Sequence, residues 1–231
     1  MFNYLKQKKC KKIFCIGSNK TGTTSMRYLF EELKYKVSPQ KLQEQTLEDI
    51  HFSFNKNLLE KYVARYDFFQ DIPFSLSNFY IRLDTLFPES KFILTVREPD
   101  SWFNSLYNFH LSIINKNIAN QSNKIKVIKK NDLKKIKWIH EDYSVTQMKK
   151  NFLTTVNENL ILKYDWNLLY SREHYKKIFI KRNHDIINFF QDRPKDLLVI
   201  DLSKEKNTKK LYDFLGIKDK PILYPYKNIT R

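Results

Sequence analysis

Glycine and proline are scarce in this chain, 3 and 7 of 231 residues, and cysteine occurs only twice. So little glycine and proline excludes collagen-like and low-complexity classes. Two cysteines, Cys10 and Cys15, offer neither a disulfide framework nor a metal-ligand spacing, which makes a reducing compartment the default expectation. No run of about 18 apolar residues is present, so no transmembrane helix is expected. The basic stretch Met1–Lys12 is followed by an apolar run of only Ile13–Ile16, too short for the core of a signal peptide. The sequons Asn120-Gln121-Ser122 and Asn228-Ile229-Thr230 then read as chance, and a cytoplasmic location is expected. Acidic residues are also few, 25 against 42 Lys and Arg, which leaves a net charge of +17. That excess attracts anions without choosing among nucleic acid, an acidic membrane surface and a phosphorylated small molecule. Its plainest reading is a solvated lysine-rich surface.

What is present suffices for a core. A hydrophobic fraction of 42%, with 15% aromatic residues, excludes wholesale disorder. Four apolar runs read as buried strands: Lys12–Ile16, Tyr66–Gln70, Lys91–Val96 and Asp196–Leu202. They are nearly continuous rather than alternating, the pattern of strands covered on both faces of a parallel sheet. Between them lie segments of helical period: Met26, Leu29, Phe30 and Leu33; Leu76, Phe79, Tyr80 and Leu83; Trp102, Leu106, Phe109 and Ile113; and Tyr175, Ile178, Phe179, Ile186, Phe189 and Phe190. A last short helix with Leu211, Phe214 and Leu215 stops at Gly216, a good left-handed cap. Strands alternating with helices predict a three-layer α/β/α domain around a parallel sheet of about four or five strands, spanning 1–231 as one domain. The stretch 115–150, rich in lysine and asparagine, reads as a polar insertion or lid.

The most informative segment is Ile13-Phe14-Cys15-Ile16-Gly17-Ser18-Asn19-Lys20-Thr21-Gly22-Thr23-Thr24-Ser25. A buried strand runs into a turn with two glycines, a lysine and several hydroxyls, then opens an amphipathic helix. Glycine lets backbone approach a ligand, and the N–H groups at a helix start point at negative oxygens. Lys20 adds a full charge, and Thr23, Thr24 and Ser25 add hydroxyl donors. An ordinary glycine turn with one capping residue needs less than this. The order differs from the nucleoside-triphosphatase loop, which carries lysine after its second glycine. Here Lys20 precedes Gly22, and the strand Lys91–Val96 leads into Arg97 rather than a magnesium-binding carboxylate. An anion site is expected; ATP hydrolysis is not.

Lys20-Thr21-Gly22-Thr23-Thr24-Ser25 resembles the 5′-phosphosulfate loop of sulfotransferases, which use 3′-phosphoadenosine 5′-phosphosulfate (PAPS). A second segment carries the same resemblance: Phe92-Ile93-Leu94-Thr95-Val96-Arg97, a strand followed by arginine, with Ser105 eight residues on. In that family such an arginine and serine hold the 3′-phosphate of PAPS. The resemblance is closest to bacterial-type and Golgi-type members. It implies a P-loop NTPase-like sulfotransferase architecture with PAPS as co-substrate and no metal. One departure concerns adenine: cytosolic members often place a tryptophan where this chain has Ser25.

Sulfuryl transfer needs an oriented donor, a neutralised leaving phosphate and a base for the attacking hydroxyl. Asp71 follows the strand Tyr66–Gln70, in Asp71-Ile72-Pro73, and ligands of open parallel sheets sit beyond the carboxyl ends of strands. Cytosolic sulfotransferases carry their catalytic histidine in a similar context, so Asp71 takes its place by position. An aspartate is a weak base unless burial raises its pKa, which Phe68, Phe69 and Phe74 would do. The other reading of Asp71 is a cap for the turn before Pro73. Glu44, His51 and His110 are further candidates for the base. A nucleotide or small-molecule kinase with a variant phosphate loop, and a nucleic-acid-binding module using the lysines of 116–150 with Trp138 and Tyr143, are the competing functions. The positive charge favours an acidic acceptor, such as an anionic glycan or a lipid headgroup.

Overall fold

The computed structural model describes residues 12–46, 48–116, 118, 121–136, 146, 149–156 and 160–225. Cys10, Asn120, Trp138, Tyr143 and the sequon at 228–230 lie outside them. The chain divides into two compact units, one containing residues up to Arg97 together with those from Asn183, the other Glu98–Arg182.

The first unit is built on four parallel strands, β1 (Ile13–Cys15), β2 (Phe68–Gln70), β3 (Lys91–Thr95) and a late strand, Leu197–Ile200, numbered β6 below. Their order is β2-β1-β3-β6, so β1 and β3 are interior. Ile13, Phe14 and Cys15 pair with Phe68, Phe69 and Gln70 on one side and with Lys91, Phe92 and Ile93 on the other. Because successive side chains alternate between faces, this register sorts the apolar residues into two cores. Phe14, Ile16, Phe69, Phe92 and Leu94 face one layer with Leu59, Tyr62 and Val63 of α3 (Lys56–Ala64) and Phe79, Tyr80 and Leu83 of α4 (Phe79–Leu86). Ile13, Cys15, Phe68, Ile93, Leu198 and Ile200 face the other, with Met26, Leu29 and Phe30 of α1 (Thr23–Glu32) and Leu211 near the end of the chain. Both faces are covered, which is why the strands read as continuous apolar runs.

Phe69 lies against Phe14 and Phe74 at centroid distances of 5.1 and 4.8 Å, whereas Phe68 stacks on Phe30 at 3.9 Å on the opposite face. The three phenylalanines expected to line one pocket are therefore divided between the layers. The free thiol of Cys15 is buried, and that burial pushes its pKa up to about 12. The segment between α1 and β2, where sequence patterning is faint, forms α2 (Gln40–Gln45), a π-helical turn at Glu48–Phe52 and α3.

The second unit is organised by α5 (Pro99–Asn115). Glu98 caps it, accepting hydrogen bonds from the amides of Asp100 and Ser101 at 3.0 and 2.7 Å, and Pro99 sits in the first turn, where its missing N–H costs nothing. Its buried stripe runs through Trp102, Leu106, His110 and Ile114, a four-residue step, rather than through Phe109 and Ile113. These side chains pack with Tyr170, Tyr175 and Phe179, and with Ile128, Leu133 and Ile136, so the lysine-rich stretch is anchored by buried apolar residues. A small antiparallel hairpin, β4 (Thr154–Val156) with β5 (Leu162–Tyr164), completes this unit. The helix α6 (Arg172–Phe189) carries Tyr175 and Phe179 at one end and Ile186 at the other. After β6, α7 (Lys209–Leu215) ends at Gly216, φ 69°, in the left-handed conformation expected of that cap.

Candidate active site

The turn from β1 to α1 is shaped by two glycines with different duties. At Gly17 the demand is space: a Cβ there would lie 1.9 Å from Thr95 Oγ1 and 2.6 Å from the Thr95 carbonyl oxygen, so only hydrogen fits between β1 and β3. At Gly22 the demand is conformation as well, since φ is 102° and a Cβ would meet Leu202 Cδ1 at 2.7 Å. Gly22 is the N-cap of α1 and has no side chain with which to cap it; the Met26 amide makes the first helical bond, to the Gly22 carbonyl, at 3.1 Å. A helix start of this kind, with acidic residues absent from its first turn, favours an anion. Gly17→Ala is expected to destabilise the fold by about 3 kcal/mol, the upper range for overpacking. An unchanged urea midpoint would show that the two strands part freely.

Thr21 locks the turn. Its hydroxyl donates to the Ser18 carbonyl at 2.5 Å and lies 2.7 Å from the Thr95 hydroxyl, and Thr21 and Thr95 are both buried. Lys20, at φ 70°, is held in the left-handed region between them. Such a conformation costs a non-glycine residue of order 1 kcal/mol or more, and Arg97 helps to hold it: the guanidinium Nη1 donates to the Lys20 carbonyl at 3.2 Å. The Lys20 ammonium is half-buried, and desolvation first, then the Arg97 charge, holds its pKa below the ordinary lysine range, with Asp71 opposing. Thr23 and Ser25 are buried and Thr24 half-buried along the first turn of α1.

Asp71 stands one residue past β2, also in the left-handed region at φ 63°, and precedes the cis Ile72–Pro73 peptide. Its carboxylate is nearly buried. Oδ1 accepts from the Ile72 amide at 2.9 Å and Oδ2 lies 3.4 Å from Gln40 Nε2, which donates to Glu44 at 2.9 Å. Desolvation raises the Asp71 pKa to about 6; Glu44 adds to the rise, while the Ile72 amide, Lys20 and Arg27 oppose it. Burial likewise raises Glu44.

Thus Lys20, Thr21, Gly22, Thr23, Thr24, Ser25, Asp71 and Arg97 gather at the carboxyl ends of three adjacent strands of the first unit. Ser105 belongs to the second unit, where it is buried on α5. Of the other candidate bases, Glu44 shares Gln40 with Asp71, whereas His51 lies edge-on to Phe79 at 5.1 Å. His110 is buried in the second unit with Nδ1 2.6 Å from the Tyr170 hydroxyl.

Sequence reasoning missed Gln40, Gln43 and Thr95. Gln40 begins a helix behind Ser38-Pro39, a readable start signal. Gln43 donates to the carbonyls of Gln70 and Ile72, at 2.6 and 3.3 Å, and so ties α2 to the backbone on either side of Asp71. Nothing in the sequence distinguishes it from a surface glutamine. Thr95 ends a strand whose apolar run hides its hydroxyl.

An acid and a lysine at neighbouring strand tips, each within reach of the other's charge and beside a helix start that favours anions, can hold a charged group and take a proton from a nucleophile next to it. Among the described residues no group of three or more His, Cys, Asp or Glu could hold a metal ion, and no helix is long and apolar enough to cross a membrane. No curated protein matches the sequence. A family model of the sulfotransferase domain matches residues 12–231. The match takes in the loop, the strand tips and both units, and the chain belongs to the sulfotransferase family.

Proposed function

We propose that this chain moves a sulfuryl group from PAPS to a hydroxyl, or an amine, of an acidic acceptor in the cytoplasm. PAPS when bound would supply the sulfuryl group on a phosphate leaving group; the protein supplies position, charge and a base. Lys20 and the first-turn amides of α1 hold the phosphosulfate and carry the charge that grows on the leaving phosphate. Arg97 takes the 3′-phosphate. Ser105 is assigned to the same phosphate on the resemblance alone. Asp71 accepts the acceptor's proton, a role for which a carboxyl pushed up to about 6 is matched, still ionised at pH 7 yet basic enough to take the proton.

The observation that carries this reading is the hydrogen bond from Arg97 to the Lys20 carbonyl. It sets the Arg97 guanidinium against the turn that carries Lys20, so cations for the donor's two anionic ends stand at adjacent strand tips, with Asp71 near enough to act on Lys20 by charge. Gly17 and Gly22 are required by the protein's own packing, since a Cβ at either would strike Thr95 or Leu202, and they leave the backbone of the turn bare of side chains.

The experiment is a thermal-shift comparison of the desulfated product (3′-phosphoadenosine 5′-phosphate), ATP with magnesium and a single-stranded oligonucleotide. The first alone is expected to raise the melting temperature. A shift with ATP and magnesium instead would point to a kinase. Arg97→Ala is expected to weaken binding of the desulfated product about tenfold or more, the worth of a charged hydrogen bond. Equal affinities by calorimetry would remove Arg97 from the donor site.

A further inference from the structure

The second unit carries two features that the transfer reaction does not use. The first is a cavity of about 470 Å³ lined by Lys130, Lys134, Lys149, Asn131, Tyr164 and Trp166. The Lys130 ammonium lies 4.4 Å from the centre of the Trp166 ring, and the Lys149 ammonium 5.3 Å from that of Tyr164. Among the described residues no carboxylate pairs with Lys130, Lys134 or Lys149. The one acid in the 130–135 turn, Asp132, is committed elsewhere, to the Lys129 amide and the Lys135 ammonium at 2.9 Å each. The turn is fixed beneath by Leu133, fully buried. Three cations around one concavity leave a charge that an anion would neutralise.

The second feature is the β4–β5 hairpin. Val156 pairs with Leu162 and Thr154 with Tyr164, so these four side chains share one face. Val156 and Leu162 are 55% and 69% exposed, and Ile161 and Leu160, just ahead of β5, are 60% and 84% exposed. Leu160 is moreover held at φ 60°, a conformation that a branched apolar residue rarely takes. The base of the hairpin is firm by contrast: Leu153 is fully buried and its carbonyl accepts from the Asp165 amide at 2.9 Å, while Phe152 stacks on Tyr175 at 4.1 Å. A rigid base therefore presents the aliphatic side chains of Leu160, Ile161 and Leu162 to solvent. Tyr164 belongs to both features, so the apolar face runs directly into the cationic cavity.

Contiguous exposed aliphatics beside a rim of lysine, tryptophan and tyrosine have one matching surface chemistry, an interface with acyl chain below and negative charge above. We propose that the second unit docks on anionic phospholipid, with Leu160, Ile161 and Leu162 entering the headgroup boundary and the cavity taking one phosphate-bearing headgroup. A polynucleotide fits less well: the cavity has small-molecule dimensions rather than the length of a strand-tracking groove, and the exposed Leu160, Ile161 and Leu162 beside it gain nothing from a nucleic acid. The proposal is independent of the donor site and gives the enzyme a location rather than an acceptor.

The test is co-sedimentation of the full chain with phosphatidylcholine vesicles, with and without phosphatidylserine. Binding is expected only with phosphatidylserine. Lys130→Glu/Lys134→Glu and, separately, Leu160→Ser/Leu162→Ser are each expected to lower partitioning at least tenfold. Affinity for 3′-phosphoadenosine 5′-phosphate stays unchanged in both variants, which also shows that they are folded. Equal partitioning of wild type and variants would overturn the proposal. So would loss in the lysine variant alone, with inorganic phosphate or an oligonucleotide competing, because the cavity would then serve a soluble anion. Failure of vesicle binding with the donor affinity intact leaves the transferase reading standing.

Discussion

Replacing Asp71 with asparagine is expected to lower kcat for sulfuryl transfer by about 10²-fold or more while leaving the protein, at pH 8, at least as stable as the native chain. The loss is that of a positioned general base. The stability follows from the same burial. Folding raises the Asp71 pKa from 3.8 to about 6, so between those values the folded chain binds the proton that the unfolded chain releases. The contribution is favourable below pH 3.8 and is lost as pH rises through 6, a difference of about 3 kcal/mol at 1.36 kcal/mol per unit. Asparagine carries no charge to desolvate, keeps an oxygen for the Ile72 amide and tolerates the left-handed backbone better than most residues. Denaturant midpoints of the two proteins should therefore nearly coincide near pH 4, separate between pH 4 and 6, and keep a constant gap above pH 6. The native kcat/KM should climb through about pH 6 and level off, and the asparagine variant should lack that inflection. Persistence of the inflection would move the base to Glu44, whose carboxyl burial also raises.

Lys20→Ala is expected to cut turnover by about 10²-fold or more, the effect of deleting one preorganised donor aimed at developing charge. Unlike a binding residue, Lys20 should cost more in kcat than in donor affinity, because charge on the leaving phosphate grows toward the transition state. The half-buried ammonium, crowded by Arg97, adds little to folding, so the melting temperature should barely move. A rate unchanged at saturating PAPS would take Lys20 out of the mechanism.

Much of this site was legible in the sequence because its chemistry is local. Gly17, Lys20 and Gly22 lie within one turn, and the apolar run that ends before Arg97 marks a strand without any partner being known. The strands themselves are shorter than their apolar runs, since Ile16, Tyr66 and Leu202 remain buried beyond the ladder. Features set by tertiary contact were less visible. The stripe on α5 shifts to His110 because a histidine bonded to Tyr170 is as well buried as a phenylalanine. Leu76 keeps the spacing of α4 but lies in the turn before it. The helix α3 did carry a signal, Asn55 accepting from the Leu58 amide at 3.0 Å ahead of Leu59, Tyr62 and Val63. The hairpin β4–β5 carried little, because each strand is only three residues long and the alternation of Leu162, Lys163 and Tyr164 is too brief to register. Gln40 and Gln43 matter only through Asp71, and no periodicity reports such a partnership.

The strand that launches the loop is flanked on both sides, and its three residues are wholly shielded from water. Backbone so placed opens to solvent only with the global unfolding of its unit. Alignment of lysine, arginine and aspartate is consequently not a local privilege that a fluctuation can remove; it persists for as long as the sheet itself does, and peripheral helices can fray without dispersing these three groups.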